Sequence, residues 1–285
     1  MGHAARRIAA VGLFAALTLA GCDSPSSIPP TRPPGGGGVG GSVPGALIWS
    51  DEFTGPAGTP PDPAKWTHDI GTDWGNAQLE YDTDRPANVS LDGLGHLAIT
   101  ARRESYLGQP YTSGRINTRG RYGPTRGRFE ARMQMPVGRG LWPAFWLLGS
   151  DIATAGWPAC GEIDVVEYRG QDRARVYGSL HGPGYSGGAA LSKTFTLQNG
   201  GFDDGFHVFA VVWNTNQITF EVDGVVYQTL TPASLPANAR WVFDHPFNLI
   251  LNLAVGGNFV GNPDASTILP QTLLVDYVRV YQVTP

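Results

Sequence analysis

Short stretches rich in β-branched and aromatic residues recur along residues 46–285, and in many of them apolar and polar positions alternate. Alternation of this kind is typical of strands that bury one face, and Gly, Pro, Asn or Asp separates one stretch from the next. We therefore expect strands in eight segments: 96–104, 127–135, 141–149, 162–168, 206–214, 217–229, 247–257 and 273–282.

The pattern between the strands excludes a helical or mixed fold. No helical period extends beyond two turns, and Asp223-Gly224 interrupts one apolar segment at the position of a hairpin turn. Many strands without alternating helices predict an all-β protein, a β-sandwich of the jelly-roll type with one concave face whose side chains need not belong to the core.

The first residues predict export. Arg6 and Arg7 precede an apolar run at residues 8–20 that is too short to span a bilayer, so residues 1–21 are interpreted as a signal peptide. The run ends in "LAGC", which resembles the lipobox of bacterial lipoproteins, so we expect a lipid on Cys22 and attachment to a membrane outside the cytoplasm. The alternative is an ordinary secretory signal in which Cys22 has no role.

Composition divides the rest of the chain. Residues 22–45 are dominated by Pro and Gly and predict a linker, whereas residues 46–285 contain no second linker and predict one domain, expected to be monomeric. Cys160 is the one cysteine of that domain, so no internal disulfide is expected. The net charge of -4 and the lack of a basic stripe argue against a nucleic-acid partner.

The segment "CGEIDVVEYRG" at residues 160–170 places three acids among apolar strand formers. In a regular strand Glu162 and Asp164 share one face, and Glu167 falls on the other. A β-bulge at Val165-Val166 would return Glu167 to the face of the other two acids. The alternative is three solvated charges on an edge strand.

The segment "GEIDVVEY" resembles the E-[ILV]-D-x-x-E motif of glycoside hydrolase family 16, in its laminarinase-like branch of bacterial endo-β-1,3-glucanases. The resemblance extends over nearly the whole domain, from "LIWSDEF" through "DWGNAQLEY", "YTSGRINTRGRYG", "GLWPAFWLLG" and "SLHGPGYSGG" to "LLVDYVRVYQ". It implies the jelly roll of the concanavalin type and hydrolysis of β-1,3-glucan without a catalytic cofactor.

The resemblance also implies roles for the acids. Glu162 matches the nucleophile and Glu167 the acid/base of a retaining double displacement, and Asp164 lies between them to adjust their pKa values. A metal site built from the same three acids is the alternative interpretation, because carboxylates are also calcium ligands.

Further residues are expected around the acids. Trp142 and Trp146, four positions apart on one strand, match tryptophans that line the cleft in the family, and Trp157 is a further aromatic candidate. The polar residues Asn76, Arg115 and His181 match sugar contacts, and Glu80 is a weaker candidate. Cys160 is expected to be a buried apolar filler.

The resemblance finally implies a structural Ca²⁺ on the convex side, bound by backbone oxygens near Glu52 and Gly95 and by the carboxylate of Asp276. Asp276 could equally be an outward polar residue. Two alternatives to the β-1,3-glucanase stay open: another specificity on the same fold (mixed-linkage glucan, agar or carrageenan, galactan, transglycosylation), and a non-catalytic glucan-binding protein.

Overall fold

The computed structural model describes residues 44–283, which form two β-sheets. The first sheet contains β1 (Leu47–Asp51), β3 (Glu80–Asp82), β4 (Val89–Leu91), β5 (Leu97–Tyr106), β6 (Gln109–Ser113), β8 (Gly127–Gln134), β13 (His207–Asn214), β14 (Gln217–Val222), β15 (Val225–Leu230) and β17 (Gln271–Tyr281). The second contains β2 (Thr67–His68), β7 (Arg115–Asn117), β9 (Leu141–Gly149), β10 (Glu162–Tyr168), β11 (Arg175–His181), β12 (Leu191–Thr196) and β16 (Phe247–Val255). All eight predicted strand segments are confirmed.

The strands of the second sheet lie in the order β12-β11-β10-β9-β16-β7-β2, so β10 is flanked on both sides. Neighbours in this order are antiparallel, and some are far apart in sequence, as are β9 and β16. This long-range pairing is typical of a jelly roll and confirms the predicted fold class. It also excludes the edge-strand interpretation of the three acids, because the segment that carries them is a central strand.

The core lies between the sheets and follows the alternation of the sequence. On β9, Phe145 and Leu147 have no exposed surface, whereas Trp146 between them points to the other face and stays partly exposed. Burying each large apolar side chain of this kind stabilises the fold by about 1.5–3 kcal/mol. The face of the second sheet that points away from the core is therefore available for polar and aromatic side chains.

The predicted hairpin is confirmed at Asp223-Gly224. Val222 pairs with Val225, so the loop has two residues, and their φ angles are 49° and 75°. Two consecutive positive φ values are typical of a type I′ turn, which favours Asp-Gly because Gly accepts this conformation without strain.

Helices contribute little to the described part of the chain. They are α1 (Ile152–Ala155) and two short 3₁₀ turns, and no described helix has the length and apolar character needed to cross a bilayer. The predicted signal peptide, Cys22 and all but the end of the linker lie outside the described residues and stay predictions.

Candidate active site

The strand β10 contains the predicted β-bulge, at Val165. Toward β9, Asp164 pairs with Trp146 and Val166 pairs with Phe145, so Val165 is the extra residue. Toward β11 the register also shifts between Asp164 and Glu167. An inserted residue reverses the alternation of faces beyond it, which returns Glu167 to the face of Glu162 and Asp164.

Burial shows the same division of faces. Ile163, Val165 and Val166 are at most 2% exposed and belong to the core between the sheets. The three acids lie on the opposite face of β10. There the side chain of Glu162 is 18% exposed to solvent and that of Asp164 is 4% exposed. We call this outward face of the second sheet the acid face.

Two indole N–H groups donate to the outer acids of the row. The Nε1 of Trp157 lies 2.9 Å from the Oε2 of Glu162, and the Nε1 of Trp142 lies 3.0 Å from the Oε1 of Glu167. A hydrogen bond to an ionised carboxylate favours the charged form, so each donor opposes the effect of burial on its glutamate.

The imidazole of His181, on β11, faces two of the three acids, Glu162 and Asp164. Its Nδ1 accepts a hydrogen bond from the N–H of Gly187 at 3.1 Å, so the proton of the neutral ring lies on Nε2. That Nε2 is 3.0 Å from the Oδ2 of Asp164 and 3.9 Å from the Oε1 of Glu162. His181 therefore lies within ion-pair distance of both carboxylates, while the buried Oδ2 of Asp164 accepts no hydrogen bond from the described residues.

The environment of the acid row holds protons on carboxyl groups at neutral pH. Burial, reinforced by the charge of Asp164, raises the pKa of Glu162 to about 8. Burial also raises the pKa of Asp164, to about 7, although a hydrogen bond with Glu162 acts in the opposite direction. The pKa of Glu167 is raised well above its usual range by burial and then by the charges of Asp164 and Glu162. Three adjacent carboxyls cannot all ionise at low cost, so one stays available as a proton donor.

A second group on the acid face is an arginine between two indoles. The Cζ of Arg115 lies 4.9 Å from the ring centroids of both Trp74 and Trp146. Its Nε donates to the Oδ2 of Asp69 at 3.0 Å, and the Nε1 of Trp146 donates to Asn252 at 2.8 Å. This arrangement fixes one flat aromatic surface and one cation beside the acid row, both suited to sugar rings and hydroxyls.

Trp142 exposes little of its ring on the acid face and reaches the site mainly through its indole N–H. It is 9% exposed and packs in a small apolar cluster with Ala254, Val260 and Phe259. Its position on β9 brings it next to Glu167, so its contact with the site is the hydrogen bond described above. Trp157 is the opposite case, because 49% of its surface is exposed.

The remaining polar candidates divide between the rim and the interior. Asn76 is exposed, has a φ of 56°, and its backbone oxygen accepts a hydrogen bond from Asn258 at 2.8 Å, which places it at the rim of the acid face. Glu80 is 1% exposed, and its Oε2 accepts a hydrogen bond from the N–H of Val255. The weaker prediction of a sugar contact at Glu80 is therefore wrong, because its carboxyl fastens β3 to β16 inside the protein.

Cys160 matches its prediction. It has no exposed surface, and burial raises the pKa of its thiol to about 11. A thiol that stays protonated is a poor nucleophile, so its role is to fill space.

One side-chain cluster among the described residues could hold a metal, and the sequence predicts a second set. Donor atoms of Glu162, Asp164 and His181 all lie within 4.8 Å of one another. In the predicted calcium set, strand pairing brings the three positions to neighbouring strands, since Asp51 pairs with Val278 and Leu97 pairs with Val275.

The side chains of that calcium set are already engaged. Both carboxylate oxygens of Glu52 accept from Arg279, at 2.9 and 2.7 Å, and the Oδ2 of Asp276 accepts from Arg132 at 2.5 Å. The calcium site stays a prediction, and Asp276 would have to exchange Arg132 for the ion.

Comparison with known proteins identifies the family. The sequence profile of glycosyl hydrolases family 16 matches residues 63–272. The beta-glucanase of Rhodothermus marinus is 40% identical over 247 residues, which cover 83% of this chain and 85% of that protein.

Two solved structures are similar over most of their length. The laminarinase catalytic domain of Thermotoga maritima has 42% identity and a TM-score of 0.79, covering 84% of this chain and 98% of that one. The endo-beta-1,3-glucanase of Pyrococcus furiosus has 43% identity and a TM-score of 0.78, covering 84% and 95%. The chain is therefore a member of glycoside hydrolase family 16.

Proposed function

We propose that the protein is an endo-acting, retaining glycoside hydrolase that cleaves β-1,3-glucan of the laminarin type. The observation that carries the proposal is the bulge at Val165, which returns Glu167 to the face of Glu162 and places both beside an indole donor. The names of the relatives described above (beta-glucanase, laminarinase, endo-beta-1,3-glucanase) support β-1,3-glucan as the substrate.

In the first step Glu162 attacks the anomeric carbon while Glu167 donates its proton to the leaving glycosidic oxygen, so the C–O bond breaks and a glycosyl ester forms. The raised pKa of Glu167 keeps that proton in place at neutral pH. In the free protein Glu162 has the higher pKa of the pair and Asp164 is the charged partner, so the attack requires Glu162 to give up its proton, for which the neighbouring carboxylate of Asp164 is an acceptor.

In the second step the ester has removed the charge of Glu162, and this charge had helped to raise the pKa of Glu167. Glu167, now ionised, therefore acts as the base that takes a proton from the attacking water. Water displaces Glu162 from the opposite side, so the product retains the β configuration.

Product analysis tests the proposal. The protein is incubated separately with laminarin, lichenan, agarose and xyloglucan, and the oligosaccharides and their initial anomeric form are determined. We expect β-configured oligosaccharides from laminarin. Cleavage of another polymer alone would assign a different specificity on this fold, and binding of laminarin without cleavage would support the glucan-binding alternative. Release of the α anomer would contradict the retaining mechanism.

Asp164→Asn is expected to lower kcat less than loss of either glutamate and to move the alkaline limb of the kcat/KM profile to lower pH. The charge of Asp164 raises the pKa of Glu167, so removing that charge lets Glu167 lose its proton earlier as the pH rises. The check is a pH profile of both enzymes on the same substrate. An alkaline limb that does not move, or moves upward, would contradict this electrostatic role.

We further propose a structural Ca²⁺ at the backbone oxygens of Glu52 and Gly95 and the carboxylate of Asp276. At a calcium concentration of about 100 Kd the ion would stabilise the fold by about 2.7 kcal/mol. At about 2–4 °C per kcal/mol this is a rise in Tm of roughly 5–11 °C. Chelator should reverse the rise, and Asp276→Asn should remove it. A Tm that is equal with calcium and with chelator would contradict the site.

We also propose that the exported protein is attached to a membrane by a lipid on Cys22. In bacterial cells the protein is expected in the membrane fraction, and Cys22→Ser should move it to the soluble exported fraction, because the thiol is the group that carries the lipid. Equal distribution of the two forms would contradict lipidation and favour the ordinary secretory signal.

A further inference from the structure

The segment that joins β9 to β10, residues 150–161, carries Trp157 to the acid row. Half of the Trp157 surface is exposed, its Nε1 donates to the Oε2 of Glu162 at 2.9 Å, and its ring lies 5.9 Å from that of His181. An exposed side chain has few packing contacts to hold it, so its position depends on how the segment itself is held.

The imidazole of His245 contacts both ends of this segment. Its Nε2 lies 3.1 Å from the Oδ1 of Asp151, at the first end, and 3.1 Å from the backbone oxygen of Cys160, at the second. Its Nδ1 is 3.3 Å from the Oδ1 of Asp244, and its ring packs on Phe247 with centroids 4.9 Å apart. The histidine thus joins both ends of the segment to the start of β16.

The backbone packs closely around this contact. A Cβ added to Gly149 would lie 1.9 Å from the oxygen of Cys160 and 2.9 Å from the Nε2 of His245. The last residue of β9, the end of the segment and the imidazole therefore pack at contact distance, which fixes where the segment leaves and rejoins the sheet.

We propose that His245 is a positioning residue, which closes the 150–161 segment so that the indole N–H of Trp157 stays on Glu162. The inference rests on the proposed role of Glu162 as nucleophile. A hydrogen bond from Trp157 favours the ionised form of Glu162, which is the form that attacks. Loss of the imidazole leaves Asp151 and the Cys160 oxygen without their common donor and loosens Trp157.

A double-mutant cycle between His245→Ala and Trp157→Phe tests the proposal, because coupling between two residues appears as non-additivity. We expect His245→Ala to lower kcat/KM on laminarin about five-fold in the parent, which is about 1 kcal/mol at 1.36 kcal/mol per tenfold. In the Trp157→Phe background, His245→Ala should change kcat/KM less than about two-fold, because the indole N–H that links the segment to Glu162 is already absent. Equal losses in both backgrounds, or no loss in the parent, would overturn the proposal.

His207→Ala serves as the matched control. His207 also pairs with a carboxylate, the Oδ2 of Asp223 at 2.7 Å, but it lies on β13 in the other sheet, so kcat/KM should not change. Acrylamide quenching of tryptophan fluorescence separates failure of the inference from failure of the proposed function, because it needs no activity. Quenching should increase in His245→Ala, and the increase should disappear in the Trp157→Phe background. An increase that persists without Trp157 would exclude the proposed route.

Discussion

Replacing Glu162 or Glu167 with Gln is expected to abolish hydrolysis of laminarin while the protein stays folded. The amide of Glu167→Gln has no acidic proton to donate to the leaving oxygen, and general acid–base catalysis contributes about 10²–10⁴-fold to such reactions. The amide of Glu162→Gln cannot form the glycosyl ester, so its loss should be at least as large. Neither change alters side-chain length, and neither acid belongs to the core between the sheets. The measurement is kcat on laminarin, with thermal unfolding recorded for each variant.

Glu80→Gln is the matched control for this pair. Glu80 is a buried glutamate whose pKa is raised to about 7, mainly by burial, but its carboxyl accepts a hydrogen bond from Val255 inside the protein. The amide oxygen of a glutamine can accept the same bond, so this variant should keep its activity. Near-parental kcat in Glu162→Gln or in Glu167→Gln would show that the roles are assigned wrongly.

Trp142→Phe is expected to lower kcat roughly 10- to 100-fold, the second largest effect. The variant keeps an aromatic ring in the apolar cluster but loses the N–H that donates to the Oε1 of Glu167 at 3.0 Å. In the first step Glu167 becomes a carboxylate, so this hydrogen bond is stronger in the transition state than before it. Hydrogen bonds to charged groups contribute about 1.5–3 kcal/mol, which corresponds to the expected loss.

The pH profile distinguishes this role from a packing defect. The N–H of Trp142 lowers the pKa of Glu167, so Trp142→Phe should raise that pKa and move the alkaline limb of kcat/KM to higher pH. Asp164→Asn is expected to move the same limb in the opposite direction. Trp146→Phe is the control on the same strand, because its lost N–H donates to Asn252 and not to an acid of the row. Equal effects of Trp142→Phe and Trp146→Phe would contradict a specific role for the donor on Glu167.

The bulge was predictable because the three acids can share one face of a strand only if one extra residue lies between Asp164 and Glu167. Glu162 and Asp164 agree in parity with each other and disagree with Glu167, and the intervening valines require a buried face. Strong apolar content also defined β9 and β10, whose observed bounds equal the predicted ones. Short or polar strands gave no such signal: β7 has three residues, and β12 is mostly exposed.

Contacts between strands distant in sequence were not predictable. Arg115 lies between Trp74 and Trp146 because β7 and β9 both pair with β16. The residues of one strand do not indicate which distant strand it pairs with. Trp74 had one available signal, its position two residues before Asn76 in the "DWGNAQLEY" segment. Glu80 was misassigned because the sequence shows a carboxyl near the site but not the backbone N–H that binds it in the interior.

Identification of the residue that carries the sugar in the covalent intermediate is the decisive measurement. A laminaribiosyl donor with fluorine at C2 and a good leaving group slows both steps but slows release more, so the glycosyl ester accumulates and can be located by peptide mass spectrometry. We expect one fluorinated sugar per protein, attached through an α-linked ester to Glu162. A label on Glu167 or Asp164, or turnover to the α product without any label, would contradict a double displacement by the acid row of β10.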